Sequence, residues 1–161
     1  MSVTDVQKDP ASLTLTITSA FDAPVARVWQ VWEDPRQLER WWGPPTYPAT
    51  VVDHDLTPGG KVSYFMTGPE GDEHHGWWRV VAVDAPHRLE FEDGFADETG
   101  TPNPDLPVTV TRVVLSEQAG RTQMAIETTF PSLEAMEQVI SMGAEEGMKA
   151  ALGQIDGLLT R

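Results

Sequence analysis

The feature that most constrains this chain is an apolar pattern at its C-terminal end. Across residues 132–159, Met136, Ile140, Ala144, Met148, Ala151, Leu152, Ile155 and Leu159 recur at helical spacing. They cover about half of a helical wheel, with Glu145, Glu146, Lys149 and Asp156 opposite. Pro131 and Ser132 mark the start: the Ser132 side chain is placed to cap free N–H groups, and Glu134 suits the positive helix end. Inside this pattern stand Gly143, Gly147, Gly153 and Gly157. Each costs about 1 kcal/mol against alanine in a helix interior. With Ala150 they form one strip beside the apolar arc. Close approach of a sheet and empty volume beside the helix both explain the strip. So does burial of the arc outweighing the penalty, at about 1.5–3 kcal/mol per large side chain. Close approach with some cavity is the expectation taken forward.

The remainder of the chain reads mainly as strands. Residues 1–11 are polar and expected to be loose, so that one domain spans residues 12–161. Leu13, Leu15 and Ile17 alternate with threonines in a half-buried strand at 12–19. Asp22 is a helix N-cap candidate ahead of Pro24, and Val25, Val28, Trp29 and Trp32 then follow at i, i+3, i+4, i+7. Asp34-Pro35 opens a second short helix, which Gly43-Pro44-Pro45 stops. Beyond residue 50 the period becomes two. Strands are expected at 50–56, 61–67, 73–83, 88–93, 108–117 and 121–130, with an acidic Pro/Gly-rich loop at 94–107. Sequential strands with short turns make an antiparallel meander whose apolar face needs a cover. The terminal helix is the one element long enough to provide it.

Several segments look familiar in combination. Phe21-Asp22-Ala23-Pro24 leading to Val28-Trp29, Trp41-Trp42-Gly43-Pro44, Asp55-Leu56-Thr57-Pro58-Gly59-Gly60, Gly68-Pro69-Glu70-Gly71, Pro86-His87-Arg88-Leu89 and Gly147-Met148 occur in that order. Together they resemble the activator of heat-shock-protein-90 ATPase homologue family, within the helix-grip superfamily of START domains and the birch-pollen allergen. The likeness runs from about Leu13 to Leu159. It implies an α+β helix-grip fold: a curved antiparallel sheet of about seven strands, two short helices after the first, and a long C-terminal helix bordering a hydrophobic cavity. At Met148 relatives often carry tryptophan, and a thinner side chain there reshapes the pocket. The eukaryotic co-chaperone carries a second, N-terminal domain beside this one, so the resemblance implies less about chaperone activation than the family name does.

Composition sets the function classes. A formal charge of −14 disfavours nucleic acid and anionic membranes as partners. No apolar run is long enough to span a bilayer, no signal pattern opens the sequence, and cysteine is absent. A soluble cytoplasmic protein, with a homodimer open, is the expectation. His54, His74, His75 and His87 show no metal-binding spacing, and no cofactor motif, nucleophile elbow or triad is legible. No catalytic, metal or cofactor residue is therefore assigned. Asp53, His54, Tyr64 and Arg79 would orient a reactive ligand only if they face inward; their pattern equally suits the solvent side.

Six tryptophans are many for 161 residues. Trp29, Trp32, Trp41, Trp42, Phe65, Trp78 and Phe91 come from separate elements that could converge under the helix, either as a pocket wall or as ordinary core. Trp78 is placed inward with Val80 and Ala82. With Gly143, Gly147, Met148, Leu152 and Ile155 on the helix, these residues form the expected site for a small hydrophobic or aromatic molecule. An enzyme of the cyclase or hydrolase kind in the same cavity, and a co-chaperone using the acidic loop, are the alternatives.

Overall fold

The computed structural model describes residues 3–159; Met1, Ser2, Thr160 and Arg161 fall outside the described residues. The segment expected to be loose instead contains a strand, β1 (Val3–Asp9), paired antiparallel with β2 (Thr14–Phe21). Two short helices follow, α1 (Val25–Glu33) and α2 (Pro35–Leu38). Six strands come next: β3 (Ala49–His54), β4 (Lys61–Thr67), β5 (Glu73–Asp84), β6 (Arg88–Ala96), β7 (Thr109–Gln118) and β8 (Arg121–Thr129). The sheet has eight strands rather than about seven, in the order β1-β2-β8-β7-β6-β5-β4-β3. It is antiparallel throughout and unclosed, with β1 and β3 at its edges.

The terminal pattern is three helices, not one rod: α3 (Leu133–Ser141), α4 (Ala144–Leu152) and α5 (Ile155–Leu159). The first break is at Gly143, whose φ of 88° lies in the left-handed region that favours glycine. Gly143 N–H donates to Ile140 O at 2.9 Å, closing α3, and its carbonyl accepts from Gly147 N at 2.8 Å, opening α4. The second break, at Gly153-Gln154, is tied to the turn after α2: Gln154 Nε2 donates to Gly43 O at 2.7 Å. Close approach of the sheet does not explain the glycine strip. A Cβ built at Gly143, Gly147 or Gly157 would meet nothing within 4 Å, and at Gly153 only ordinary contacts with its own helix.

Caps follow the sequence at two helices and depart from it at one. Ser132 Oγ accepts from Ala135 N at 3.0 Å, and Asp34 Oδ1 accepts from Arg36 N at 2.9 Å. Asp22 does not cap α1. The N-cap is Pro24, and Glu117 on β7 accepts from Val25 N at 2.7 Å. Arg27 on α1 reaches the other terminus, donating through Nη2 to Leu158 O at 2.6 Å, so one helix holds the C-terminal end of another.

Helix α2 also guards an edge of the sheet. Val51 lies on β3, which has a neighbour only on its β4 side. Its N–H donates to Glu39 Oε1 at 3.1 Å, and its carbonyl accepts from Arg36 Nη2 at 3.0 Å. Arg36 and Glu39 lie 3.5 Å apart as an ion pair. Two side chains thus occupy the backbone groups that a further strand would use.

Candidate functional site

The tryptophans converge, but on one another. Trp32 meets Trp41 edge-on with centroids 4.8 Å apart, Trp42 meets Trp78 at 4.8 Å, and Trp78 stacks on Phe91 at 4.0 Å. Such edge-to-face and stacked pairs are favourable beyond the area they bury. Trp41 Nε1 donates to Val31 O at 2.9 Å, and Trp32 Nε1 points at Met124 Sδ at 3.3 Å. Trp29 is buried too, its indole donating to Glu33. Leu152 and Ile155 are fully buried against this mass. These expected site residues belong to the buried core. Phe65 lies on the opposite face of the sheet, its ring 5.3 Å from that of His75. Trp78 faces inward with Val80 as expected, but Ala82 does not share their burial: a bulge between Val80 and Ala82 breaks the alternation and turns Val83 toward the core instead.

A hollow does lie between the sheet and the helices, displaced from the tryptophans toward α3 and the start of α4. One cavity of about 190 Å³ is lined by Tyr64, Met66, His74, His75, Gly76, Asp93, Gly94, Phe95, Pro107, Thr109, Val139 and Ala144. A second, of about 100 Å³, shares Asp93, Thr109, Val139 and Ala144 with it and extends along Ile17, Ile126, Phe130 and Met148. Of the predicted site residues, Met148 is the one on the wall of this hollow, while Phe65 lines a separate cavity on the other face of the sheet. Gly143 and Gly147 immediately precede the lining residues Ala144 and Met148 without lining the hollow themselves.

The polar centre of the hollow is Asp93. It follows Leu89 and Phe91 on the inward side of β6, between Trp78 on β5 and Thr109 on β7. Burial pushes its carboxyl up to about 7, and a hydrogen bond from Tyr64 opposes the rise. Burial likewise raises the Tyr64 phenol well above its usual value, and the Asp93 charge adds to this. Tyr64 reaches this place because its cross-strand partner is Gly76: a Cβ there would fall 2.4 Å from the phenol Cζ and Oη. The indole N–H groups of Trp42 and Trp78 are buried without a hydrogen-bond partner of full geometry, and Tyr64 Oη is the oxygen they bear on. The hollow therefore holds one carboxyl and one phenol, with the imidazoles of His74 and His75 and a few threonines, in an otherwise mostly apolar wall.

At the rim, His74 Nε2 lies 2.9 Å from Asp72 Oδ2, which also accepts from Tyr47 Oη at 3.2 Å. Of the four polar candidates, only Tyr64 reaches the hollow. Asp53 accepts from Ser63 Oγ at 2.6 Å, His54 Nε2 lies 2.9 Å from Trp32 O, and Arg79 pairs with Glu92 at the surface. Among the described residues no three His, Asp or Glu side chains group closely enough to hold a metal ion. The acidic loop begins later than expected, because β6 runs through Gly94 to Ala96. Its Pro107 lines the hollow. Asp93 was legible in principle, two residues beyond Phe91 on the buried face of a strand. Gly76 inside a strand was a second signal, for close approach by a neighbouring side chain.

An unclosed antiparallel sheet gripping terminal helices, with a hollow between them, defines an α+β helix-grip protein. Within that class the chain belongs to the Activator of Hsp90 ATPase homolog 1-like family, whose match covers residues 22–160. It is similar to protein Ms6760 from Mycobacterium smegmatis, with 55% identity over 98% of this chain and 96% of that one, at a TM-score of 0.91. A protein from Arthrobacter aurescens is 52% identical over 99% of this chain and 92% of that one, at a TM-score of 0.95. DynU16, from the dynemicin biosynthetic locus, shares the fold at 19% identity and a TM-score of 0.64, over 90% of this chain and 46% of that one. No protein of curated function matches the sequence.

Proposed function

We propose that the protein binds a small, largely apolar molecule in the hollow between the inner face of β4–β7 and helices α3 and α4. The observation that carries this reading is a cavity of about 190 Å³ with a single carboxyl in a mostly hydrophobic wall. Apolar pockets with a few convergent polar groups are the usual form of small-molecule sites. A cavity of about 150 Å³ accepts a benzene-sized guest, so a one-ring molecule fits here, and the adjoining hollow of about 100 Å³ takes a short extension. Family membership supports the same reading. Titration with one-ring and short-chain compounds, followed by tryptophan fluorescence, tests it, because Trp42 and Trp78 lie beside Tyr64. Silence across the whole panel would remove the reading.

A second reading is enzymatic, and Asp93 favours it. A carboxyl raised to about 7 in a cleft is suited to exchange protons near neutral pH. Turnover of an ester or polyketide-like substrate, lost in Asp93→Asn with binding retained, would support catalysis over carriage. Association with a heat-shock chaperone rests on family membership alone; its test is co-purification together with a raised chaperone ATPase rate. Among the described residues no helix is long and apolar enough to cross a membrane, and a cytoplasmic location belongs to this proposal.

A further inference from the structure

We propose that the occupant of the hollow is an amine: a one-ring or short-chain apolar body carrying a protonated nitrogen, with Asp93 as its counter-ion. This rests on the reading of the hollow as a binding site. Three observations carry it. First, Asp93 lines the hollow and, among the described residues, forms no ion pair with a Lys, Arg or His. The nearby histidines are engaged elsewhere, His74 with Asp72 and His75 with Glu73. A carboxylate withdrawn from water without a positive partner is unfavourable, and an ammonium group in the adjoining space supplies that partner.

Second, the surrounding groups suit a cation on an apolar stem. Asp93 and Thr109 line the wall with a carboxylate and a hydroxyl, acceptors for an ammonium that has three N–H donors. Phe95 and the Tyr64 ring add aromatic surface, which attracts cations. From the helix side Val139 and Ala144 offer only hydrocarbon, which suits the ligand's body. Third, the chain carries a formal charge of −14, a field that draws cations toward it and repels carboxylates.

The test uses three molecules of one shape: 2-phenylethylamine, 2-phenylethanol and 3-phenylpropionate. Their affinities are measured by calorimetry at about pH 8, where a carboxyl with a pKa of about 7 is mostly ionised. For the natural chain the amine is expected to bind at least about tenfold tighter than the alcohol, the equivalent of about 1.4 kcal/mol. The carboxylate is expected to bind weakest. In Asp93→Asn the amine preference should vanish while the alcohol still binds. A readout on the unaltered chain accompanies the variant: the Asp93 carboxyl carbon resonance at about pH 7 should move to its ionised position with the amine and not with the alcohol. If the alcohol matches the amine, or the preference survives in Asp93→Asn, the amine assignment fails and the binding site stands. If none of the three binds, the site itself fails and the amine with it.

Discussion

At the scale of single residues, Asp93 has a consequence for stability. Its carboxyl titrates near 7 in the folded chain and near 3.8 when exposed. Between those values the folded state holds a proton that the unfolded state has lost. Stability must therefore fall as pH rises from about 4 to about 7, by up to a few kcal/mol. Asp93→Asn should melt higher than the natural chain at about pH 8, and the two should converge near pH 4. Thermal melts across that range check this; parallel curves would mean the carboxyl is not held in its neutral form. Asp34 works in the opposite sense and in a lower window. The Gln37 side chain and the Arg36 N–H hold its carboxyl low, so its contribution is lost as pH falls below about 4. Ala119 gives a second expectation. Its φ of 55° sits in the left-handed region, at the β7–β8 turn beside Gly120. Ala119→Asn gives the Asn-Gly pair such turns favour and should stabilise by about 0.5–1 kcal/mol in chemical denaturation.

At the scale of elements, two glycines of the terminal segment should respond in opposite directions. Gly147 lies inside α4 with open space at its Cβ position, so Gly147→Ala should stabilise by about 1 kcal/mol. Gly143 has the same open space but a φ of 88°, so Gly143→Ala should destabilise by about 1 kcal/mol. Urea midpoints of the two variants check the pair; a gain from both would mean the break at Gly143 is dispensable. The contrast also shows what the sequence could convey. Apolar spacing reports which faces of a helix are buried, and Leu152 and Ile155 are buried as that spacing implies. It is blind to a change of direction between helices, because the repeat resumes in nearly the same phase. Strand β1 was hidden for another reason. It has one neighbour and mostly exposed side chains, so Asp5, Gln7, Lys8 and Asp9 leave no alternating hydrophobic trace. The aromatic set pointed to the tryptophans and away from the hollow because composition counts rings without saying what they touch. Trp32, Trp42 and Trp78 occupy one another's space, whereas Asp93, the group that gives the hollow its chemistry, stood in plain alternation behind Phe91.

At the scale of the whole molecule, the two borders of the sheet are unequal. The β1 border is linked to α4 by an ion pair of 2.9 Å between Lys8 and Glu145, and its outer backbone faces no further strand. The β3 border is stopped by Arg36 and Glu39 at Val51. Removing both stops in an Arg36→Ala, Glu39→Ala variant should produce concentration-dependent association beyond a pair, read by light scattering, that the parent chain does not show. Were the variant as well behaved as its parent, those contacts would be incidental. The asymmetry governs what copies of this chain can build. Head-to-tail stacking needs both borders, one to give and one to receive, and a plugged receiver blocks such growth at its first step. What survives is a handshake of two like borders, which is finite by symmetry: a pair, never a fibre.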